Sequence, residues 1–515
     1  MAVLARTWWA LSGLSVAVLA VGLDATVLSV ALPTLAGALH ATTTDLQWFV
    51  SAYTLALAAA LLPGGLLGDR FGRRKVLVIV LAVFGLGSLA CAYAPNAGLF
   101  IAARTLLGLS AGAMIPLVLS VLAVLFTDEE RTRAISVWAA ANFLGLPLGP
   151  ILGGWLLSHY WWGWVFLLNL PVVAIGLVAV AVLVPESRAA GRTGLDPLGI
   201  VGSSGGLAVL VYGFIAAGQY GWSSPTAIGA MLAGTAVLAA FAGWELRLAA
   251  RGGQPLVDLS LFRSARFTWG TILSGMGIFA MFGLLFAAPQ FFQAVLGVDA
   301  MGSGVRLLPM IAGLAAGAGL ADRLAKMISA KITVALGFAV LATGLVLGTS
   351  MTAGSGTGFI AAWTATAGVG FGMALAPAAS AALVDLPEER AGVASAVMQA
   401  VQKAGAPLAA AVLGSALSSG YTSRLHLAGL PADAARAVRD SVFAGVAVAR
   451  KLGSARLLAD VQAAFAHGVA TMLWVSAGLA GAGIVLALVF LPWRATAKGE
   501  PDVREGGVAA HERVA

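Results

Sequence analysis

The sequence predicts an all-α polytopic membrane protein, two six-helix bundles with two helices inserted between them, about fourteen transmembrane helices in all. Three observations lead there. Of 515 residues 60% are hydrophobic and 10% charged, with a mean hydropathy of +0.95, whereas an ordinary soluble domain has about 25% charged residues. Apolar runs of about 20 residues recur from end to end, each long enough to cross roughly 30 Å of hydrocarbon at 1.5 Å per residue. Strings from the first half also return in the second, as expected of a duplicated bundle.

Taken in order, the runs place spans near 8–33, 45–68, 75–94, 97–126, 133–158, 163–184, 197–217 and 226–248, then near 266–296, 302–321, 331–350, 357–384, 391–419 and 467–492. The first is too long for a signal peptide and is read as a retained helix. ERTRAIS at 130–136 matches ERAGVAS at 389–395, and GLPLGPILGG at 145–154 echoes GAPLAAAVLG at 405–414, offsets of 259 and 260 residues. LLGDRFGRR at 66–74 has a weaker counterpart in GLADRLAKM at 319–327. The offset spans about eight helices, an even number, so both copies share one orientation, a layout in which the substrate path lies where the halves meet. Six helices suffice for each half. The extra pair falls at 197–248, which divides the chain into 1–190, an inserted segment at 191–260, a second bundle at 261–493 and a polar tail at 494–515.

Lys and Arg set the orientation. Alternate connections, from Arg70 to Lys75 through Arg390, are basic, and the short loops between them on the other side carry no Lys or Arg. Both termini are then cytoplasmic, in the cell membrane. Residues 420–466 break this pattern, holding Arg424, Arg436, Arg439, Arg450, Lys451 and Arg456 on the outer side. Their amphipathic pattern suggests one or two surface helices, packed at the bilayer interface or lining a vestibule.

Composition also excludes. Cys91 is the single cysteine, so no intramolecular disulfide forms; the five histidines lack ligand spacing, and no metal or other cofactor is expected. The chain has no Gly-Lys pair and therefore no phosphate-cradling Walker loop. The net charge of +8 sits in short loops between spans, which reflects topology and gives no reason to expect nucleic acid as a partner.

GGLLGDRFGRRK at 64–75 is the most specific string. Gly65 and Gly68 allow close helix approach, Gly72 a tight turn, and Asp69 with Arg70, Arg73 and Arg74 makes a dense inner charge cluster. It serves as a topological anchor or as an inner gate in which Asp69 caps the helix beginning near Ala391. In NFLGLPLGPILGG at 142–154, Gly145, Gly149 and Gly153 share a helix face, followed by Gly154, while Pro147 and Pro150 disturb the backbone ladder. That helix can pack tightly and still bend.

These strings resemble motifs of the major facilitator superfamily. The first is similar to its signature between the second and third helices, and GLPLGPILGG to the fifth-helix motif of its proton antiporters. LDATVLSVALP, YGW at 220–222, LFRSARF at 261–267 and APQFFQAVLG at 288–297 resemble the fourteen-helix drug:proton antiporter branch. The resemblance implies a major facilitator fold exporting small lipophilic or cationic compounds, with the proton gradient as energy source. Of the fourth-helix motif the arginine and glycine carry over as Arg104 and Gly108, whereas Leu107 stands in place of the glutamine and brings no side-chain hydrogen bond.

Asp24 is the acid placed deep within a span. It lies about nine residues, on the order of 14 Å, inside the exit at Pro33, and Arg104 lies on the order of 12 Å inside the fourth helix, a matching height. Burial raises a carboxyl pKa and a guanidinium lowers it, so conformation can switch Asp24 between charged and neutral forms. Proton coupling is assigned to Asp24 and Arg104, with a static structural pair as the alternative. Lys403 is a second charge within a span. Trp48, Tyr53, Asn142, Gln290, Gln293 and Gln399 join it as residues expected to line a mostly apolar pocket.

The expected function is therefore proton-coupled export of a drug or secondary metabolite by a monomer in the lipid bilayer. Proton-coupled nutrient uptake is the alternative, and it calls for more intramembrane hydrogen-bonding residues than this chain has. An enzyme or sensor lacks support in any nucleophile, metal cluster or nucleotide loop.

Overall fold

A computed structural model describes residues 2–126, 128–188, 196–253, 255–383, 388–427 and 429–492; several side chains within these stretches, those of Asn142, Pro147 and Lys403 among them, lie outside the described residues. The helices are α1 (Ala2–Ala38), α2 (Thr43–Phe71), α3 (Arg73–Ala92), α4 (Ala97–Leu125), α5 (Asp128–His159), α6 (Trp164–Leu167), α7 (Asn169–Leu183), α8 (Pro197–Tyr220) and α9 (Pro225–Ala250). After a 3-10 turn at Leu259–Arg263 come α10 (Ala265–Ala294), α11 (Ala300–Met327), α12 (Ala330–Gly348), α13 (Thr357–Leu383), α14 (Glu388–Ser423), α15 (Ala432–Asp440), α16 (Val442–Lys451) and α17 (Ala455–Phe490).

Twelve helical spans among the described residues are long and apolar enough to cross a membrane, α6 and α7 forming one broken span. A thirteenth is α2, bent by 47° where Thr43–Leu61 meets Pro63–Phe71, as a proline that removes a ladder hydrogen bond requires. The 32-residue α5 packs on α1 and α11, and the twelve or thirteen spans among the described residues are roughly consistent with the expected fourteen. Helix boundaries differ from those read in sequence. Pro33 does not end α1, which runs on to Ala38. Residues 455–466, expected on the outer surface, form the start of α17.

Packing repeats with the sequence. The contacts α1 with α5, α2 with α4, α3 with α4 and α1 with α7 recur as α10 with α14, α11 with α13, α12 with α13 and α10 with α17. One hydrophobic core gathers residues between Ala10 and Val184 together with Phe286 and Ala410, and another residues between Leu273 and Leu491 together with Val30. They meet through α2 against α14, α5 against α11 and α1 against α10. The pair α8–α9 packs on itself and leans on α14 and α2. Outward positions such as Val178, Val182 and Leu232 stay exposed, which a bilayer tolerates and water would not.

The segment between α14 and α17 is compact. Tyr421 donates its hydroxyl to the Val438 carbonyl at 2.7 Å, and Thr43 donates to the Asp440 carbonyl at 2.9 Å. With these ties α15 and α16 sit over the ends of the bundle, α16 packing on α17, α1 and α10. Phe443, Val446 and Arg450 of α16 face Pro33 and Gln293 across a cavity of about 330 Å³.

Candidate functional site

A cavity of about 230 Å³ lies between the halves. Thr26 and Ser29 of α1, Tyr53 and Thr54 of α2, and Arg104 of α4 line one side; Phe282 and Phe286 of α10 and Gln402 of α14 line the other. Most of its wall is aliphatic or aromatic.

Arg104 is the charged side chain on that wall, and behind it lies Asp24. Their ion pair closes at 2.6 Å between Arg104 Nη1 and Asp24 Oδ2, with Asp24 fully buried and Arg104 1% exposed. Arg104 Nε donates to the Phe49 carbonyl at 3.2 Å, and the guanidinium stands 4.1 Å from the centre of the Tyr53 ring. Both interactions stabilise a cation withdrawn from water. Asn169 Nδ2 approaches the other carboxylate oxygen, Asp24 Oδ1, at 3.4 Å and donates to Ser88 Oγ at 3.2 Å. Asn169 is reached because the span breaks at Leu168 and α7 starts on it, with Pro171 in the first turn where no donor is missed. Asn169 and Ser88 were not read from sequence as site residues; an asparagine and a serine in two separate spans were the available signal.

The fifth-helix glycines lie against α1 on either side of Asp24. A Cβ at Gly145 would come 2.7 Å from the Gly22 carbonyl carbon, at Gly149 2.0 Å from Thr26 Oγ1, and at Gly153 2.4 Å from Val27 Cγ2. Thr26 in turn donates to the Gly145 carbonyl at 3.3 Å. Further along, Gly154 meets Ala300 and Met301, and the Pro150 carbonyl meets Gly304, so α5 touches both α1 and the opposite half. Pro147 lies outside the described side chains. The helix that packs beside Asp24 is thus also one that bridges the halves.

The inner cluster is organised by an acid that sequence reading left in a loop. Glu186 accepts the Arg74 and Lys75 N–H groups, each at 3.2 Å, at the start of α3, where a carboxylate offsets the positive helix end. Gly72, at φ +112°, lies so close to it that a Cβ would come 2.7 Å from Glu186 Oε1. Asp69 pairs with Arg73 at 2.8 Å, Arg73 reaches the Ser120 carbonyl, and Arg74 donates to the Ala181 carbonyl. Arg70 stacks over Phe71, and Gly65 packs on Pro116. The described partner of Asp69 is thus within its own half; the first-turn side chains of α14, which Asp69 was expected to cap, lie outside the described residues.

Of the expected lining residues, Tyr53 reaches the central cavity, with its hydroxyl buried and lacking a partner among the described residues. Trp48 packs instead with Val211, Ile215 and Ala411 against α8 and α14. Gln290 donates within α10 to the Phe286 carbonyl, Gln293 bridges to the Val30 carbonyl near the outer cavity, and Gln399 turns to Ser395. Asn142 and Lys403 fall outside the described side chains. Gln402, unforeseen, lines the cavity and donates to Ser274 at 2.9 Å. Leu107 is fully buried and fills a contact against Gly87, where a glutamine would bring polar atoms into an apolar seam.

Two packed bundles around a central cavity, with a buried ion pair at its wall, define a multi-span membrane carrier. The chain belongs to the Major Facilitator Superfamily, whose model matches residues 14–197 and 196–410. The tetracenomycin C resistance and export protein of Streptomyces glaucescens is 32% identical over 513 residues, covering 97% of this chain and 93% of that protein. The multidrug efflux pump LfrA of Mycolicibacterium smegmatis is 34% identical over 499 residues, covering 94% and 96%. Among solved structures, a bacterial homolog of the human lysosomal transporter Spinster, inward-facing and unoccupied, matches with a TM-score of 0.66 over 94% of this chain and 96% of that one. Its 14% identity speaks for the fold alone.

Proposed function

We propose that this protein is a proton-coupled antiporter that exports small lipophilic or cationic drugs or secondary metabolites across the cytoplasmic membrane by alternating access. The observation that carries the reading is the Asp24–Arg104 pair, wholly buried yet at the wall of the cavity between the halves. The names of the two relatives, one an export protein and one an efflux pump, support the direction of transport and the class of cargo. Protons are the energy source, both termini are cytoplasmic, and the transporter works as a monomer.

The coupling follows from electrostatics. An ionised Asp24 holds Arg104, and a proton arriving from outside neutralises the carboxylate and removes the ion pair. Arg104 then relies on the Phe49 carbonyl and the Tyr53 ring, and α1 is free to shift along the smooth face of α5. Release of that proton towards the cytoplasm restores the pair and the cargo-accepting state. The halves 1–190 and 261–493 rock about the cavity, and the segment 191–260 travels between them. A mostly apolar wall suits lipophilic cargo, whose transfer out of water supplies binding energy.

The test is a flux measurement on purified protein in liposomes. A lipophilic dye moving through the protein should drive a proton flux of opposite direction, reported by a pH-sensitive dye. Dye transport with no accompanying proton movement would refute the antiport.

A further inference from the structure

A pair of buried acids lies away from the central cavity, where the inserted helices meet the segment leading into α10. Asp196 is the N-cap of α8 and accepts the Gly199 N–H at 3.0 Å. The Trp244 indole Nε1 reaches both of its carboxylate oxygens at 3.1 Å. Glu245, the next residue on α9, accepts the Val257 N–H on Oε2 at 2.9 Å. Asp196 is 6% exposed and Glu245 1%.

The remaining oxygen of Glu245, Oε1, is buried and has no donor among the described residues. It converges on Asp196: a Cβ at Gly199 would stand 2.2 Å from Asp196 Oδ2 and 2.5 Å from Glu245 Oε1. Two carboxyl oxygens can meet in a buried site only if a proton lies between them, because both anions cannot be desolvated side by side. No cation offsets them among the described residues, where neither acid takes part in an ion pair. Arg247 on α9 and Arg251 at its C-cap are exposed, and α8 has no ionisable side chain besides Tyr212 and Tyr220. In the connecting segment Asp258 caps the 3-10 turn, and Arg263 is the basic residue of that turn. The elements α2 and α14, which pack on α8, bring Asp45, Asp69 and Arg70, and Glu388, Glu389, Arg390 and Lys403; Asp69 is held by Arg73 and Asp45 by the Thr42 cap, and the four side chains on α14 lie outside the described residues. Burial alone would raise the Asp196 carboxyl, but hydrogen bonds from Gly199, Glu245 and Trp244 outweigh it and hold it below the ordinary aspartate range. Asp196 already accepts from Gly199 and Trp244, whereas Glu245 Oε1 has no donor among the described residues, so the geometry assigns the shared proton to Glu245 Oε1, donated to Asp196.

We propose that Asp196 and Glu245 form a second proton-binding site, distinct from Asp24, whose single shared proton latches α8 and α9 to the segment at Leu256 and Val257. That segment, with Ser203, Leu238 and Phe241, walls a largely apolar cleft of about 540 Å³ between the inserted pair and the two bundles. With the proton present, the latch holds the cleft's wall; as pH rises through the titration of the pair, two adjacent anions repel and the Val257 N–H loses its anchor. The site does not depend on the antiport reading above, because the main packing of α8 and α9 among the described residues is on α2, α14, each other and the 3-10 turn.

The experiment uses the full chain in lipid nanodiscs. Infrared difference spectra across a pH titration should show the carbonyl stretch of a protonated carboxyl that persists in Asp24→Asn and is lost in Glu245→Gln. The amide of that variant can donate to Asp196 and accept from Val257, so its fold is retained, and an unchanged thermal midpoint at acidic pH checks this. In parallel, amide hydrogen exchange at 256–257 should lose protection in wild type as pH rises, beyond the intrinsic base-catalysed increase, and should keep it in Glu245→Gln. A band that titrates in Glu245→Gln as it does in wild type, or exchange that is identical in both proteins at every pH, would overturn the proposal.

Discussion

Gly108 and Gly112 of α4 lie against Tyr53 and Leu57 of α2; Gly368 and Gly372 of α13 lie against Met310 and Leu314 of α11. A Cβ at these four glycines would come 2.2, 2.2, 2.1 and 2.3 Å from the respective carbonyl oxygens. The same backbone-to-backbone seam is therefore built twice. Four residues before the first glycine, however, one half has Arg104 and the other Thr364. Arg104 crosses to Asp24, whereas Thr364 Oγ1 donates at 2.7 Å to the Ile360 carbonyl of its own helix. After Arg266, α10 has no ionisable residue at all. Small-residue packing, which needs no charge, makes the bundle in both copies, while the fully buried ion pair among the described residues belongs to the first copy.

Breaking the asymmetry should give the largest effect. Arg104→Leu strands a buried carboxylate and should cost about 3–5 kcal/mol of stability, seen as a lower unfolding midpoint in detergent, together with loss of transport. Thr364→Val at the matching position gives up an intrahelical hydrogen bond and should cost about 1 kcal/mol or less. Equal losses in the two variants would mean that the halves do not differ as described.

The shared seam predicts the opposite pattern. Gly108→Ala and Gly368→Ala each press a methyl onto a carbonyl oxygen and should each cost about 1–3 kcal/mol, nearly alike in thermal unfolding. The fifth-helix motif sharpens the contrast again. Gly145→Ala meets the Gly22 backbone and should fall in that same range of about 1–3 kcal/mol, but at Gly405 the nearest atom to a Cβ is the Gly275 carbonyl at 3.7 Å. Gly405→Ala should be close to neutral. A small effect is expected at Glu186, where Glu186→Gln removes a charge from the α3 N-terminus and should cost about 0.3–1 kcal/mol, shrinking with added salt. A salt-independent loss would point to packing.

Much of this was legible in the sequence for identifiable reasons. Span number and the duplicated halves follow from apolar run length and repeated strings, which need no side-chain geometry. Asp24 and Arg104 stood out because charge within a span is costly, and depth counting put them at one height. What sequence could not give was anything that depends on rotation about a helix axis. Trp48 and Gln399 share helices with Tyr53 and Gln402, yet a few residues' difference turns them away from the cavity. Asn169 acquires its contact with Asp24 from a break in the helix at Leu168, and Glu245 looked like an ordinary span end until α8, α9 and the segment at Val257 came together around it. The cluster at 64–75 was recognised as a unit, but its partner Glu186 lies more than a hundred residues away along the chain.

The central claim is that Asp24 takes up and releases the transported proton. Its most direct test is Asp24→Asn in proteoliposomes, a substitution that keeps side-chain size and a hydrogen-bonding oxygen towards Arg104. The account predicts that cargo already inside still exchanges with labelled cargo outside, while an imposed pH gradient no longer drives accumulation. Undiminished gradient-driven accumulation by Asp24→Asn would contradict it.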